Sequence, residues 1–177
     1  MNLLIRAFWF TLASLFRKRI SPIETTRLRF TVLPNDLDVF MHMNNSRYLS
    51  IMDLGRTDLI GRTGVLVKLI RLGYFPIVAA SRIKYRKSLN LFNRYDLQTR
   101  ILFWDEKWFY IEQEFILKGK PVASAWVKAC IRGAKGVVPV KEIFALVPFD
   151  GVTPEPSEEL QQWIELEASK NEQTVKS

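Results

Sequence analysis

The chain is poor in the residues that usually advertise a metal or a disulfide. Its 177 residues include one histidine, His42, and one cysteine, Cys130. A single cysteine excludes an internal disulfide, and a lone imidazole leaves no ligand set for a structural zinc, so no metal and no cofactor are expected. One thiol also fits a reducing, cytoplasmic compartment. Long apolar runs are missing too: residues 3–16 are mostly apolar but are interrupted by Arg6, whereas a spanning helix needs roughly 20 residues. There is no zinc-finger spacing, no glycine-aromatic RNA-binding signature and no long basic run, so nucleic acid is not expected as a partner. No internal repeat or low-complexity tract is present.

What is present is the composition of one globular domain, 48% apolar and 25% charged. The net charge of +8 is unevenly spread: residues 150–177 carry −5, which leaves +13 on residues 1–149. A field of that sign suits an anionic membrane surface or a phosphate-rich small molecule such as coenzyme A, with plain solubility as the other reading. The first 20 residues form a segment of their own. Its cations Arg17, Lys18 and Arg19 follow the apolar run, the reverse of a cleaved signal peptide. Two readings stand: a monotopic anchor with Trp9 and the basic triplet at the headgroups, or a helix packed on the body or on a second subunit. The expected organisation is thus an apolar and basic segment over 1–20, a folded domain over 21–149, and an acidic tail over 150–177 that is helical or disordered.

Within the domain the hydrophobic period changes along the chain. In RLRFTV, Leu28, Phe30 and Val32 alternate with polar residues, which predicts a strand buried on one face and stopped by Pro34. Tyr48, Leu49, Met52 and Leu59 then recur at helical spacing, with Asn44 or Asn45 as N-cap and Gly61 and Gly64 punctuating the end. VLVKLIRLG predicts a second short helix closed by Gly73. Strands follow over 77–88, 95–104, 108–117 and 122–131, joined by the turns DEK and KGKP, then a short helix over 139–147. A strand, a long helix and four hairpin-linked strands predict an α+β fold, one antiparallel sheet with a helix against it.

Between the first strand and the long helix lies DLDVFMHMNNSRY, with Asp36, Asp38, His42, Met43, Asn44, Asn45 and Tyr48. This pattern resembles the signature of the hotdog-fold thioesterase superfamily, in its 4-hydroxybenzoyl-CoA thioesterase-like branch. It is most similar to the thioesterase superfamily member 6-like proteins, with VLPNDLDVFMHMNNSRYL, GVL, AAS and WDEKWFY in matching order over roughly residues 25–135. The resemblance implies a hotdog fold, in which a curved antiparallel sheet wraps a long central helix. It also implies a homodimer or dimer of dimers with the acyl site between subunits, and a substrate carried on coenzyme A or acyl carrier protein. By position Asp38 matches the catalytic carboxylate, as base or nucleophile, with His42 beside it. Backbone N–H groups at the helix start, supported by Asn44, Asn45 and Ser46, would polarise the thioester carbonyl. Tyr48 and Met52 would line the substrate.

Other readings of the same residues stay open. Asp38 is also the residue type that closes an Asx-turn, His42 can be a structural imidazole, Asp36 is better suited to structure than to chemistry, and Tyr48 and Met52 can be core. The pattern also departs from that of the plant acyl-carrier-protein thioesterases: Phe40 stands in place of an asparagine, and Lys87 and Ser88 in place of an acid and a cysteine. Met41 replaces a glycine common in bacterial relatives. The expected activity is acyl-CoA thioester hydrolysis, and the alternative is a catalytically silent acyl-CoA or lipid-binding protein at a membrane surface.

Overall fold

The computed structural model describes Leu12, Ser14 and residues 16–175. The expectations for residues 3–11 lie outside the described residues. Alternation places Leu28 and Phe30 inward in β1 (Thr26–Thr31), while Arg27 and Arg29 face solvent. A single 3-10 turn (Pro34–Asp36) and a loop lead into α1 (Asn45–Thr63), which buries Tyr48, Ile51, Met52, Leu54, Gly55 and Leu59. These recur every three or four residues, the period of one helix face. Gly64, at φ 85°, ends α1 and passes the chain into α2 (Val65–Leu72), closed in turn by Gly73.

Four long strands follow: β2 (Phe75–Tyr85), β3 (Arg94–Trp104), β4 (Phe109–Leu117) and β5 (Lys120–Gly133). The short strand β6 (Gly136–Val138) pairs with the end of β5. The expected strand over 77–88 is shifted towards its start. Arg86 and Lys87 leave the ladder because both their N–H groups donate to the Val122 carbonyl, at 2.8 and 3.0 Å. The sheet order is β1-β3-β4-β5-β2, antiparallel throughout, with register breaks between Val78 and Ala80, Ile101 and Phe103, and Phe115 and Ile116. Such bulges bend a sheet, and the curved inner face holds α1. The fit is close at Gly55, where a Cβ would come within 2.5 Å of Thr99 Oγ1 and 2.7 Å of Leu97. This is the α+β hotdog arrangement.

After α3 (Val140–Phe144), the chain ends in α4 (Glu158–Val175). Although acidic, α4 packs on the outer face of the sheet: Leu160 and Trp163 are buried against Tyr110, and Trp163 meets the rings of Tyr110 and Trp126 at 6.1 and 6.0 Å. β2 is an edge strand, exposed along most of its length, including Phe75, Ile77, Val78 and Tyr85.

Candidate functional site

The two aspartates of the motif have different structural roles. Asp36 is buried, and its carboxylate accepts the Leu33 N–H at 3.0 Å while its carbonyl accepts the Asn44 N–H at 2.8 Å. Arg47 stands 3.9 Å from the same carboxylate. Asp36 therefore ties the end of β1 to the start of α1. Asp38 sits at the base of a tight loop. Its N–H donates to the His42 carbonyl (2.8 Å) and its carbonyl accepts the Met41 N–H (3.1 Å). Its Oδ1 accepts the N–H groups of Phe40 (2.9 Å) and His42 (3.3 Å). The carboxylate thus closes an Asx-type turn with one oxygen, while Oδ2 makes no hydrogen bond among the described residues. The loop's geometry forces Met41 to φ 62°, a conformation that side chains other than glycine adopt at a cost. It also leaves Val39, Phe40 and Met41 exposed.

Isolated bridges Leu37↔Met43 and His42↔Asn90 pin this loop beside the segment after β2. Between them opens a cleft of about 360 Å³, lined by Asp38, His42, Met43, Asn45 and Tyr48 on one side and by Tyr85, Arg86, Lys87 and Ser88 on the other. The N-terminus of α1 enters the cleft at Asn45. Asn44 is its N-cap, accepting the Ser46 N–H at 2.9 Å and the Ser46 hydroxyl at 2.7 Å. The positive end of a 19-residue helix therefore borders the cleft that Asp38 lines. Tyr48 is buried, its ring 5.0 Å from Tyr85 and 4.8 Å from Phe115. Burial pushes the hydroxyls of Tyr48 and Tyr85 up from the ordinary phenol value, and both stay protonated at neutral pH.

Asp38, His42, Asn45 and Tyr48 therefore meet in one cleft. Asn44 and Ser46 serve the helix cap. Met52 does not line this cleft: it is buried in the core, and its carbonyl accepts from Gln113. The imidazole of His42 is exposed and makes no hydrogen bond among the described residues. Among those residues no group of three His, Cys, Asp or Glu side chains is placed to hold a metal ion. No helix among them is long and apolar enough to cross a membrane.

Sequence reasoning missed a second cavity, of about 300 Å³, between the later half of α1 and the sheet. Its walls are Ile60, Leu69, Val78, Ile101, Phe109 and Ile111 among other apolar residues, with Asp53, Arg56, Thr57 and Thr63 as the polar exceptions. Arg56 is bonded to Asp53 and to Gln113 Oε1 (2.6 Å). Gln113 is fully buried and donates to the Met52 carbonyl (2.9 Å) and Thr99 Oγ1 (3.0 Å). Burial, opposed by Asp53, draws the Arg56 pKa down. The signal available beforehand was a polar break in strand alternation: Thr99 and Gln113 occupy inward positions between apolar neighbours.

A family profile described as the thioesterase-like superfamily matches residues 32–164. The chain belongs to this family. Two proteins named Protein THEM6 are similar over most of its length. That of Danio rerio is 35% identical, covering 90% of this chain and 79% of its own. That of Xenopus laevis is 33% identical, covering 89% and 78%. The solved structure of the BH1999 gentisyl-coenzyme A thioesterase shares the fold at a TM-score of 0.63 and 20% identity, over 68% of this chain and 99% of that one. At the level of the family, this superfamily member is a thioester hydrolase.

Proposed function

We propose that the protein hydrolyses acyl-CoA thioesters at the Asp38 cleft. The observation that carries the reading is the placement of Asp38: Oδ1 is fixed by two backbone N–H groups, and Oδ2 is left for chemistry beside the start of α1. In this reading the thioester carbonyl oxygen lies against the Asn45 N–H, where the helix dipole stabilises charge as the carbonyl becomes tetrahedral. Asp38 takes a proton from water as it attacks the carbonyl carbon, or attacks that carbon itself to give an anhydride that water then opens. Either route breaks the C–S bond, releases the acid and returns a proton to the coenzyme A thiolate. His42 orients the water or the carboxylate, and Arg86 and Lys87 meet the phosphates of the carrier.

The active assembly in this account is a homodimer formed along β2. A long edge strand with exposed Phe75, Ile77 and Val78 offers unpaired backbone groups and apolar side chains to another strand. Antiparallel pairing of β2 with its copy, about an axis near Ala80, sets Tyr85 of one protomer beside Phe75–Val78 of the other. The apolar cavity bounded by Pro76 and Val78 then adjoins the partner's polar cleft, a suitable place for the acyl chain. We also infer that the chain is peripheral at an anionic membrane face, as the apolar residues 3–16 and the following basic triplet suggest.

The test is steady-state hydrolysis of CoA esters of graded acyl length, with acyl-carrier-protein esters alongside, and a sedimentation measurement of the oligomer. Turnover on at least one ester by a dimer supports the reading. No turnover on any ester, with tight acyl-CoA binding retained, favours the silent binding protein suggested by Phe40 and Lys87.

A further inference from the structure

A surface pocket of about 440 Å³ is lined by Arg17, Lys18, Arg27, Arg29 and Arg62, with Asp96 as the acidic exception. Two carboxylates organise it. Asp96 holds Arg27 at 3.4 Å and Arg29 at 2.9 Å on the outer face of β1. Asp58, its side chain fully buried, holds Arg17 at 3.3 Å and Arg62 at 3.9 Å. Five cations against two carboxylates leave a local surplus of three positive charges. The arrangement is built rather than incidental. Ile20 N–H donates to the Arg62 carbonyl (3.3 Å), Arg62 Nε to the Lys18 carbonyl (3.1 Å) and Arg19 to the Gly61 carbonyl (2.7 Å). The basic triplet is therefore seated on the last turn of α1, where the helix dipole favours cations.

Exposed apolar side chains flank the basic triplet along the chain. Phe16, directly before Arg17, is 83% exposed, and Ile23 is 50% exposed. Ser14 is buried against Gly61, at the end of α1 that carries Arg62. Clustered guanidinium groups beside exposed apolar side chains match a lipid interface, where phosphates and acyl chains lie within a few ångströms of each other. The pocket is separate from the reaction cleft, because Asn45 of the cleft and Arg62 of the pocket are seventeen residues apart on one helix, about 25 Å.

We propose that this arginine pocket docks the protein on an anionic phospholipid surface, its cations meeting the headgroup phosphates while Phe16 enters the interface. The inference rests on the membrane reading above, to which it gives a definite surface, and on none of the thioester chemistry. It is tested by co-sedimentation of the full chain with phosphatidylcholine vesicles, with and without phosphatidylglycerol. The comparison is Arg27→Gln/Arg29→Gln against a control of equal charge change, Lys118→Gln/Lys120→Gln, exposed residues at the β4–β5 turn and the first position of β5. Binding should require phosphatidylglycerol and weaken with salt, and the pocket variant should lose about thirtyfold in partitioning. The control should lose only a few-fold, and hydrolysis of soluble acyl-CoA should be unchanged in both. Equal binding to both vesicle types, or equal losses in pocket and control variants, would overturn the proposal. So would a raised KM for acyl-CoA in the pocket variant with vesicle binding intact, which would assign the pocket to the coenzyme phosphates. An inactive wild type that still docks would leave this inference standing and remove the catalytic one.

Discussion

Replacing Gln113 with leucine, which has a similar volume, removes the centre of the polar network beneath α1. Three hydrogen bonds go with it: from Arg56 at 2.6 Å, to the Met52 carbonyl at 2.9 Å and to Thr99 Oγ1 at 3.0 Å. The first is charge-assisted and contributes about 1.5–3 kcal/mol, and each of the others about 1 kcal/mol. Leucine returns about 1 kcal/mol through burial of apolar surface, so the net loss is about 3 kcal/mol. At a typical urea slope this lowers the unfolding midpoint by roughly 1–2 M without changing the slope. Gln113→Glu keeps the acceptor for Arg56 but can donate to neither Met52 nor Thr99 and sets a buried carboxylate oxygen against the Met52 carbonyl, so it too should destabilise. Equilibrium urea unfolding followed by tryptophan fluorescence measures both. A loss below about 0.5 kcal/mol for the leucine variant would refute the claim that this network holds the helix to the sheet.

Gly55→Ala should gain about 1 kcal/mol in helix propensity and lose about 1–3 kcal/mol by overpacking, because its Cβ would meet Thr99, Leu97 and Gln113 within 2.8 Å; a stabilised variant in urea unfolding would contradict the close approach. Asn44→Ala should cost about 1 kcal/mol in thermal unfolding through loss of the cap, and an unchanged midpoint would remove that role. Burial raises the Asp58 pKa despite Arg17 and Arg62. The folded state therefore binds this proton more tightly than the unfolded chain, and the stabilising contribution is full below the ordinary carboxylate pKa and lost as pH rises through the raised value. Relative to Asp58→Asn, the wild type should be more stable at acid pH than at neutral pH, and a flat difference across that window would show no such shift.

The parts of this protein that are local in sequence are the parts its sequence discloses. The loop from Asp36 to Asn44 and the cap on α1 are determined by hydrogen bonds spanning a few residues, so their residue types identify them. The strands reveal themselves by alternation and α1 by its three-to-four spacing. What stayed hidden depends on distant partners. The strand order sets β1 beside β3 and β2 beside β5, which no local pattern encodes. Leu160 and Trp163 look like isolated apolar residues in an acidic tail until the outer sheet face presents Tyr110 and Trp126 to them. The apolar cavity and the Arg56–Gln113–Thr99 network likewise join residues far apart in the chain. At Asp38 the turn reading is visible in Oδ1, which accepts the Phe40 and His42 N–H groups, and the catalytic role is proposed for the oxygen that the turn leaves unbonded.

The most direct measurement is single-turnover and steady-state hydrolysis of a cleaved acyl-CoA by wild type and Asp38→Asn. The amide keeps an acceptor oxygen for the Phe40 and His42 N–H groups, so the loop survives while the basic carboxylate is lost. The account predicts a fall in kcat on the order of 10²–10⁴-fold with near-native unfolding. Undiminished turnover by a folded Asp38→Asn protein would contradict it.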